Sequence, residues 1–218
     1  DQSIKGIENL ITTGIDASTE TVMSKDNDKD LENIVDLTEQ YNLKQSAYSI
    51  CGPCLTEKNS EFSLSLNEGA KMFERAFVHS KYKERIKLIT SSTICSFNPE
   101  IYSDMRKYKA VSRGCHILTG SRFVLEPNGD IIPCVHFAGL PIMNIFEGEK
   151  IISAKEFLGE YNSPKGNNQT FRKMLKKYPS TKCRDDGCWG NECSGGCPIF
   201  WSQYSPQQEI KGLEIKVR

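Results

Sequence analysis

The sequence has no charge imbalance, little histidine and no long apolar run. Lys+Arg and Asp+Glu number 28 each in 218 residues, so the formal net charge is zero. A balanced chain makes no electrostatic case for a nucleic acid or an anionic membrane as partner. No apolar run approaches the roughly 20 residues of a membrane-spanning helix, and no signal peptide opens the chain. A cytoplasmic protein is expected. Neither an internal repeat nor a low-complexity segment is visible, which sets aside a repeat array or a linker. An initiator Met is also missing: the chain starts DQSIKGIENLITTG, which reads as the inside of a domain, and a fragment is expected. The length allows one large domain or two small ones, with room for a hydrophobic core.

What is present in quantity is cysteine. Nine in 218 residues is well above ordinary usage, yet far below a small disulfide scaffold. An odd count without a signal peptide argues against a fully paired secreted framework, and in a reducing cytosol clustered thiols hold metal or do redox chemistry. Metal is the favoured reading. The distribution is uneven: Cys51, Cys54 and Cys95 precede residue 110, whereas Cys115, Cys134, Cys183, Cys188, Cys193 and Cys197 follow it. This break predicts two parts, 1–110 and 111–218.

The first part alternates helix and strand. Ile4, Ile7, Leu10 and Ile11 share a helical face that stops at Gly14. DASTETVMSK is β-branched and extended; DNDKDLENIVDLTEQYN offers Asp caps and then Leu31, Ile34 and Val35 at helical spacing; LKQSAYSI is a second extended run closed by Gly52-Pro53. This is the rhythm of a parallel α/β sheet or barrel. Ser65-x-x-Glu68 is a capping box ahead of a stripe of Ala70, Phe73 and Phe77. In the second part, SRFVLEPNGDIIPCVHF predicts a β-hairpin turning at Asn128-Gly129. AKEFLGEY and QTFRKMLKKY predict short helices around a loop.

Thiolates brought from separated loops are how iron–sulfur clusters are held, usually four per 4Fe-4S unit. Glycines let backbone N–H groups approach the sulfurs, and Gly195-Gly196 allows the turn that aims Cys193 and Cys197 inward. The arrangement Cys115…Gly129…Cys134, a C-x13-G-x4-C spacing, followed by C-x4-C-x4-C-x3-CP over Cys183, Cys188, Cys193 and Cys197, resembles the SPASM extension of radical S-adenosylmethionine (radical SAM) enzymes. LEPNGDIIPC and CSGGCP carry the resemblance most strongly. Residues 4–55 are similar to the last helix–strand–helix units of the radical SAM partial (β/α)6 barrel. The resemblance therefore implies an α/β fold: the C-terminal portion of that barrel in 1–110, then a small cysteine-rich α+β SPASM domain with a β-hairpin in 111–218. It implies metal ligation by Cys115, Cys134, Cys183, Cys188, Cys193 and Cys197 in one or two auxiliary 4Fe-4S clusters. By analogy Cys115, Cys134 and Cys197 share one cluster, and Cys183, Cys188 and Cys193 a second; the alternative is one cluster on Cys115, Cys134, Cys183 and Cys188. For the full-length enzyme it implies reductive cleavage of S-adenosylmethionine, hydrogen abstraction from a precursor peptide or protein, and a reducing partner such as flavodoxin or ferredoxin. Ser49, Cys51, Gly52 and Pro53, in a loop after the last barrel strand, would lie beside S-adenosylmethionine.

The chain departs from the family at two points. No C-x3-C-x2-C triplet is present to hold the catalytic cluster, so this chain alone is not expected to perform the radical reaction. The tail after Cys197 has neither Cys nor His, which leaves six ligands where two full clusters want seven or eight.

Competing readings follow from the same residues. Four cysteines at such spacings also suit a structural zinc site, making the chain a zinc-stabilised binding module. Cys51-Gly-Pro-Cys54 is the tetrapeptide of thiol-disulfide oxidoreductases, although no helical pattern follows it at once. An ordinary turn between strand and helix accounts for the same residues. His116 and His136 stand close to ligand candidates; His116, next to Cys115, would point away from it in an extended strand. Cys95 reads as a core thiol, and Trp189, Phe200, Trp201 and Tyr204 as a shield against water around the clusters.

Overall fold

A computed structural model describes residues 2–52, 61–112, 114–120, 122–175, 193 and 195–203. Its first part is a three-stranded parallel sheet in the order β1 (Ser18–Met23), β2 (Gln45–Ile50), β3 (Ile86–Leu88). Register runs from Ser18 opposite Gln45 to Met23 opposite Ile50, and then from Ser46 opposite Ile86. Leu88 also bridges Val111 in parallel. Four helices accompany the strands: α1 (Gln2–Thr12), α2 (Leu31–Gln40), α3 (Leu66–His79) and α4 (Pro99–Lys107). Sequential strand order, with α2 packed on α3 and α3 on α4, gathers these three helices on one side, a singly wound arrangement. The sheet is not a closed barrel.

Each element follows from local chemistry. In α2, Leu31, Val35 and Thr38 are buried at helical spacing, and Asn42 ends it at φ 51. In α3 the capping box is complete: the Glu68 N–H donates to Ser65 Oγ at 3.2 Å, and the Ser65 N–H donates to Glu68 Oε2 at 2.8 Å. Gly69 lets α3 lie directly on β2, since a Cβ there would sit 2.6 Å from Ile50. Phe73 is fully buried beside Tyr48, ring centroids 5.9 Å apart; burying such a side chain contributes about 1.5–3 kcal/mol. Asn98 caps α4 by accepting the Glu100 N–H at 2.9 Å, with Pro99 as its first residue.

The second part carries a three-stranded antiparallel sheet, β4 (Val124–Leu125), β5 (Asp130–Ile132) and β6 (Met143–Asn144), and a hairpin, β7 (Phe146–Glu147) with β8 (Lys150–Ile151). The predicted hairpin at Asn128-Gly129 is formed, with Gly129 at φ 85. The helices α6 (Ala154–Tyr161) and α7 (Asn167–Leu175) follow, as the sequence predicts. The single turns α5 (His116–Thr119) and α8 (Phe200–Gln203) flank the cysteines. One hydrophobic core runs through both parts, from Met23, Tyr48 and Phe73 to Ile117, Phe137, Cys197 and Phe200.

Among the described residues no helix is long and apolar enough to cross a membrane.

Candidate metal centre

Three separated segments bring cysteines to one place. Cys115 is the residue before α5. Cys134 stands before a 3-10 turn, Val135–Phe137, at the exit of the hairpin. Cys197 precedes α8, and its carbonyl accepts the Phe200 N–H at 3.2 Å. The same local pattern recurs at each: an extended or loop cysteine followed by a helical turn, whose first N–H groups point back at the sulfur. Cys115 sulfur faces the N–H of Ile117, while the Leu118 N–H donates to the Cys115 carbonyl at 3.0 Å; Cys134 sulfur faces the N–H groups of His136 and Val135, and Cys197 sulfur that of Ile199. Such donors stabilise thiolate and any metal it holds.

The Cys115 and Cys197 thiols are hydrogen-bonded to one another. This bond lowers the pKa of Cys115 against the opposing effect of burial. In Cys197 the same bond raises the pKa, and deep burial raises it further. Burial also pushes up Cys134, which feels the charge of Cys115 as well, and the charge of Cys134 is felt in turn by Cys197. Three thiols therefore interact in an apolar site where metal coordination would relieve the cost of holding them ionised. Cys115 is not in a strand, so alternation does not fix the neighbouring His116, which begins α5. Burial, then the charge of Arg122, holds the His116 imidazole toward its neutral form; burial alone does so for His136. The Cys193 sulfur accepts the Gly195 N–H at 3.4 Å. Gly195 and Gly196 take φ 81 and 76, the left-handed turn that their sequence suggested.

The site stands at the carboxyl edge of the parallel sheet. Gly52, just past β2, is covered by the Phe200 ring, which a Cβ would meet at 2.6 Å. Gly196 lies close to Leu66, at the start of α3, and to Thr93, beyond β3. Trp201 is buried and donates from Nε1 to the Gly195 carbonyl at 2.6 Å. Phe200 and Trp201 are both buried in the core that also holds Cys115 and Cys197; Trp189 and Tyr204 lie outside the described residues. Asn128, Asp130 and Asn144 form a hydrogen-bonded knot, Asn128 Nδ2 reaching Asp130 Oδ2 at 2.7 Å and Asn144 Nδ2 reaching Asp130 Oδ1 at 2.8 Å. The polar residues of PNGD therefore build the hairpin that delivers Cys134.

Two further expectations meet the structure here. The loop at Cys51 follows β2, the middle strand, and not the last one, because β3 and the Val111 bridge come later in the chain. Ser49 lies within β2, while Cys51 is tied on both sides, its N–H to the Met23 carbonyl at 2.8 Å and its carbonyl to the Leu64 N–H at 2.9 Å. Gly52 packs directly against the Phe200 ring. Pro53, Cys54, Cys183 and Cys188 lie outside the described residues. Cys95 is half-buried in the 3-10 turn Ile94–Ser96.

The donors fit a thiolate-held metal by their chemistry, soft and sulfur-rich, and suit zinc as well as iron–sulfur. Among the described residues, however, no three side chains of His, Cys, Asp or Glu stand together as a metal site. The described thiols approach one another without closing a coordination sphere. Sequence reasoning missed the buried hydroxyls of Ser91, Thr93 and Ser96 beyond β3, and Arg172, which no sequence signal marks. Compared with models of protein families, with curated proteins and with solved structures, the chain matches none.

Proposed function

We propose that this chain is the C-terminal part of a radical SAM/SPASM enzyme, and that residues 111–218 hold at least one auxiliary 4Fe-4S cluster. The observation that carries the reading is the pairing of the Cys115 and Cys197 thiols, with Cys134 near enough for charge to be felt between them, beyond the carboxyl ends of a parallel sheet. Singly wound β–α units support the barrel half of the reading, because a closed (β/α) barrel is built from them. Ligands of such sheets gather at the carboxyl ends of the strands.

A bound cluster would supply one-electron transfer or an open iron for substrate. The chain's own residues do the rest. Cys115, Cys134 and Cys197 share one metal centre in this account, with Cys183, Cys188 and Cys193 available to complete it or to hold a second. Phe200 and Trp201 keep water from the sulfurs, and the N–H groups after each cysteine set the electron density they carry. The substrate of the full-length enzyme is a precursor peptide or protein, modified by hydrogen abstraction, with flavodoxin or ferredoxin as electron donor. A zinc-held binding module is the second reading, favoured by the fact that the thiols alone do not separate zinc from iron.

The test is the metal content of a Cys197→Ala variant prepared anaerobically. Loss of at least the iron of one cluster is predicted, with residues 111–203 destabilised, because Cys197 joins the late loop to Cys115. Unchanged iron would sink the assignment.

A further inference from the structure

The segment 195–203 meets the residues that follow β2 and β3 through two close fits, each at a glycine. The Phe200 ring sits on Gly52, just past β2, where a Cβ would meet it at 2.6 Å. The backbone at Gly196, φ 76, comes so near Leu66 and Thr93 that a Cβ would stand 2.9 and 3.2 Å from their side chains. The seat is held in place: Cys51, beside Gly52, is bonded through its N–H to Met23 and through its carbonyl to Leu64. The segment is also knit to itself. The Phe200 N–H donates to the Cys197 carbonyl at 3.2 Å, and Trp201 Nε1 to the Gly195 carbonyl at 2.6 Å. Where it docks, the molecule is rich in hydroxyls. Of nine buried polar residues among those described, Ser63, Ser65, Ser91, Thr93 and Ser96 stand in the two segments that follow β2 and β3. Ligands of parallel α/β sheets bind beyond these strand ends, and a few placed polar groups are what orients them.

We propose that residues 195–203 form a strap over the carboxyl end of the sheet, which opens as a local unit and is latched by Phe200 in the Gly52 seat. The bonds within the strap travel with it, and segments that open this way are drawn from the low-stability end of a fold. Opening uncovers Gly52, Leu66 and Thr93, so a ligand that binds there competes with the latch and shifts the strap toward its open state. The closed strap is then an autoinhibitory contact. This role does not depend on which metal the cysteines hold.

The experiment is native-state amide hydrogen exchange on the full chain, thiols reduced, in rising urea below the unfolding midpoint, for wild type and Gly52→Ala. The reporter is the N–H of Phe200, because a single helical turn is not stable once detached. The references are the N–H groups of Ser46 and Leu88, bonded to the Arg85 and Ala110 carbonyls in the sheet. In wild type, Phe200 exchanges about 100-fold faster than either reference. Its rate barely changes with urea, since a local opening exposes little surface. Gly52→Ala crowds the ring and raises the Phe200 rate about a further tenfold, the scale of one overpacked contact. A wild-type Phe200 rate equal to those of Ser46 and Leu88, rising as steeply with urea, would make the segment part of the global core and overturn the proposal. A Phe200 rate in Gly52→Ala within twofold of wild type would overturn it too, because a chain end that merely frays does not feel the seat. Should Gly52→Ala not fold, Phe200→Leu, which keeps an apolar side chain but loses the ring, is read in the same way at the N–H of residue 200.

Discussion

Tyr48 carries a buried polar group that its surroundings leave unsatisfied. Its ring is fully buried in β2 against Phe73, and its hydroxyl finds no hydrogen-bond partner. A buried hydroxyl without a partner costs roughly 1–3 kcal/mol. Tyr48→Phe should therefore raise stability by about 1 kcal/mol, read as a higher urea midpoint with unchanged slope; a lower midpoint would mean that the hydroxyl is paired. Burial, then the charge of Glu39, raises the phenol pKa above its ordinary value of 10.0. The sign follows: the neutral phenol's contribution is fully present below about pH 10 and is lost as pH rises from there toward the folded-state value. Tyr48→Phe should flatten that alkaline loss. At the same scale, the cysteines were legible as ligand candidates because spacing and flanking glycines are written in the chain. That Gly52 is a seat for Phe200 was not legible, because the two meet only through the tertiary fold.

Among the elements, α3 is the one on which the site leans. Its first residue, Leu66, lies close to Gly196, and its capping box is formed by Ser65 and Glu68. Ser65→Ala should cost about 1 kcal/mol in chemical denaturation, and Glu68→Gln less, since an amide still reaches back to the Ser65 N–H. Equal stability for wild type and Ser65→Ala would show that packing alone holds this end. The sequence announced α1, α2, α3, α6, α7, β1, β2 and the hairpin through periodicity, caps and turn residues. It hid β3, only three residues long, too short for alternation to register. The start of α4 was written in Asn98-Pro99-Glu100, a cap with proline at the first position, but the stretch is too polar to show an apolar stripe. The two-residue strands β6, β7 and β8 exist through pairing rather than propensity. Cys115 was misplaced in a strand because a single helical turn leaves no periodicity to read.

At the scale of the whole molecule, one core binds a parallel α/β part to a cysteine-rich part, and the thiols sit where they meet. The flank at β1 is exposed among the described residues. Helix α1 buries no residue, Leu10, Ile11, Ile15 and Val22 are exposed, and β1 pairs with β2 alone among the described strands. In the proposed partial barrel, a further strand and helix would cover that flank. What Cys115, Cys134 and Cys197 hold decides between an iron–sulfur enzyme and a zinc-held module. The measurement that asks this most directly is anaerobic purification of the full chain, followed by iron, sulfide and zinc quantification and a visible spectrum. A brown protein with about four irons and four sulfides per cluster is predicted. A colourless protein carrying about one or two zincs and no sulfide would make the cysteines a structural fastening and contradict the enzyme assignment.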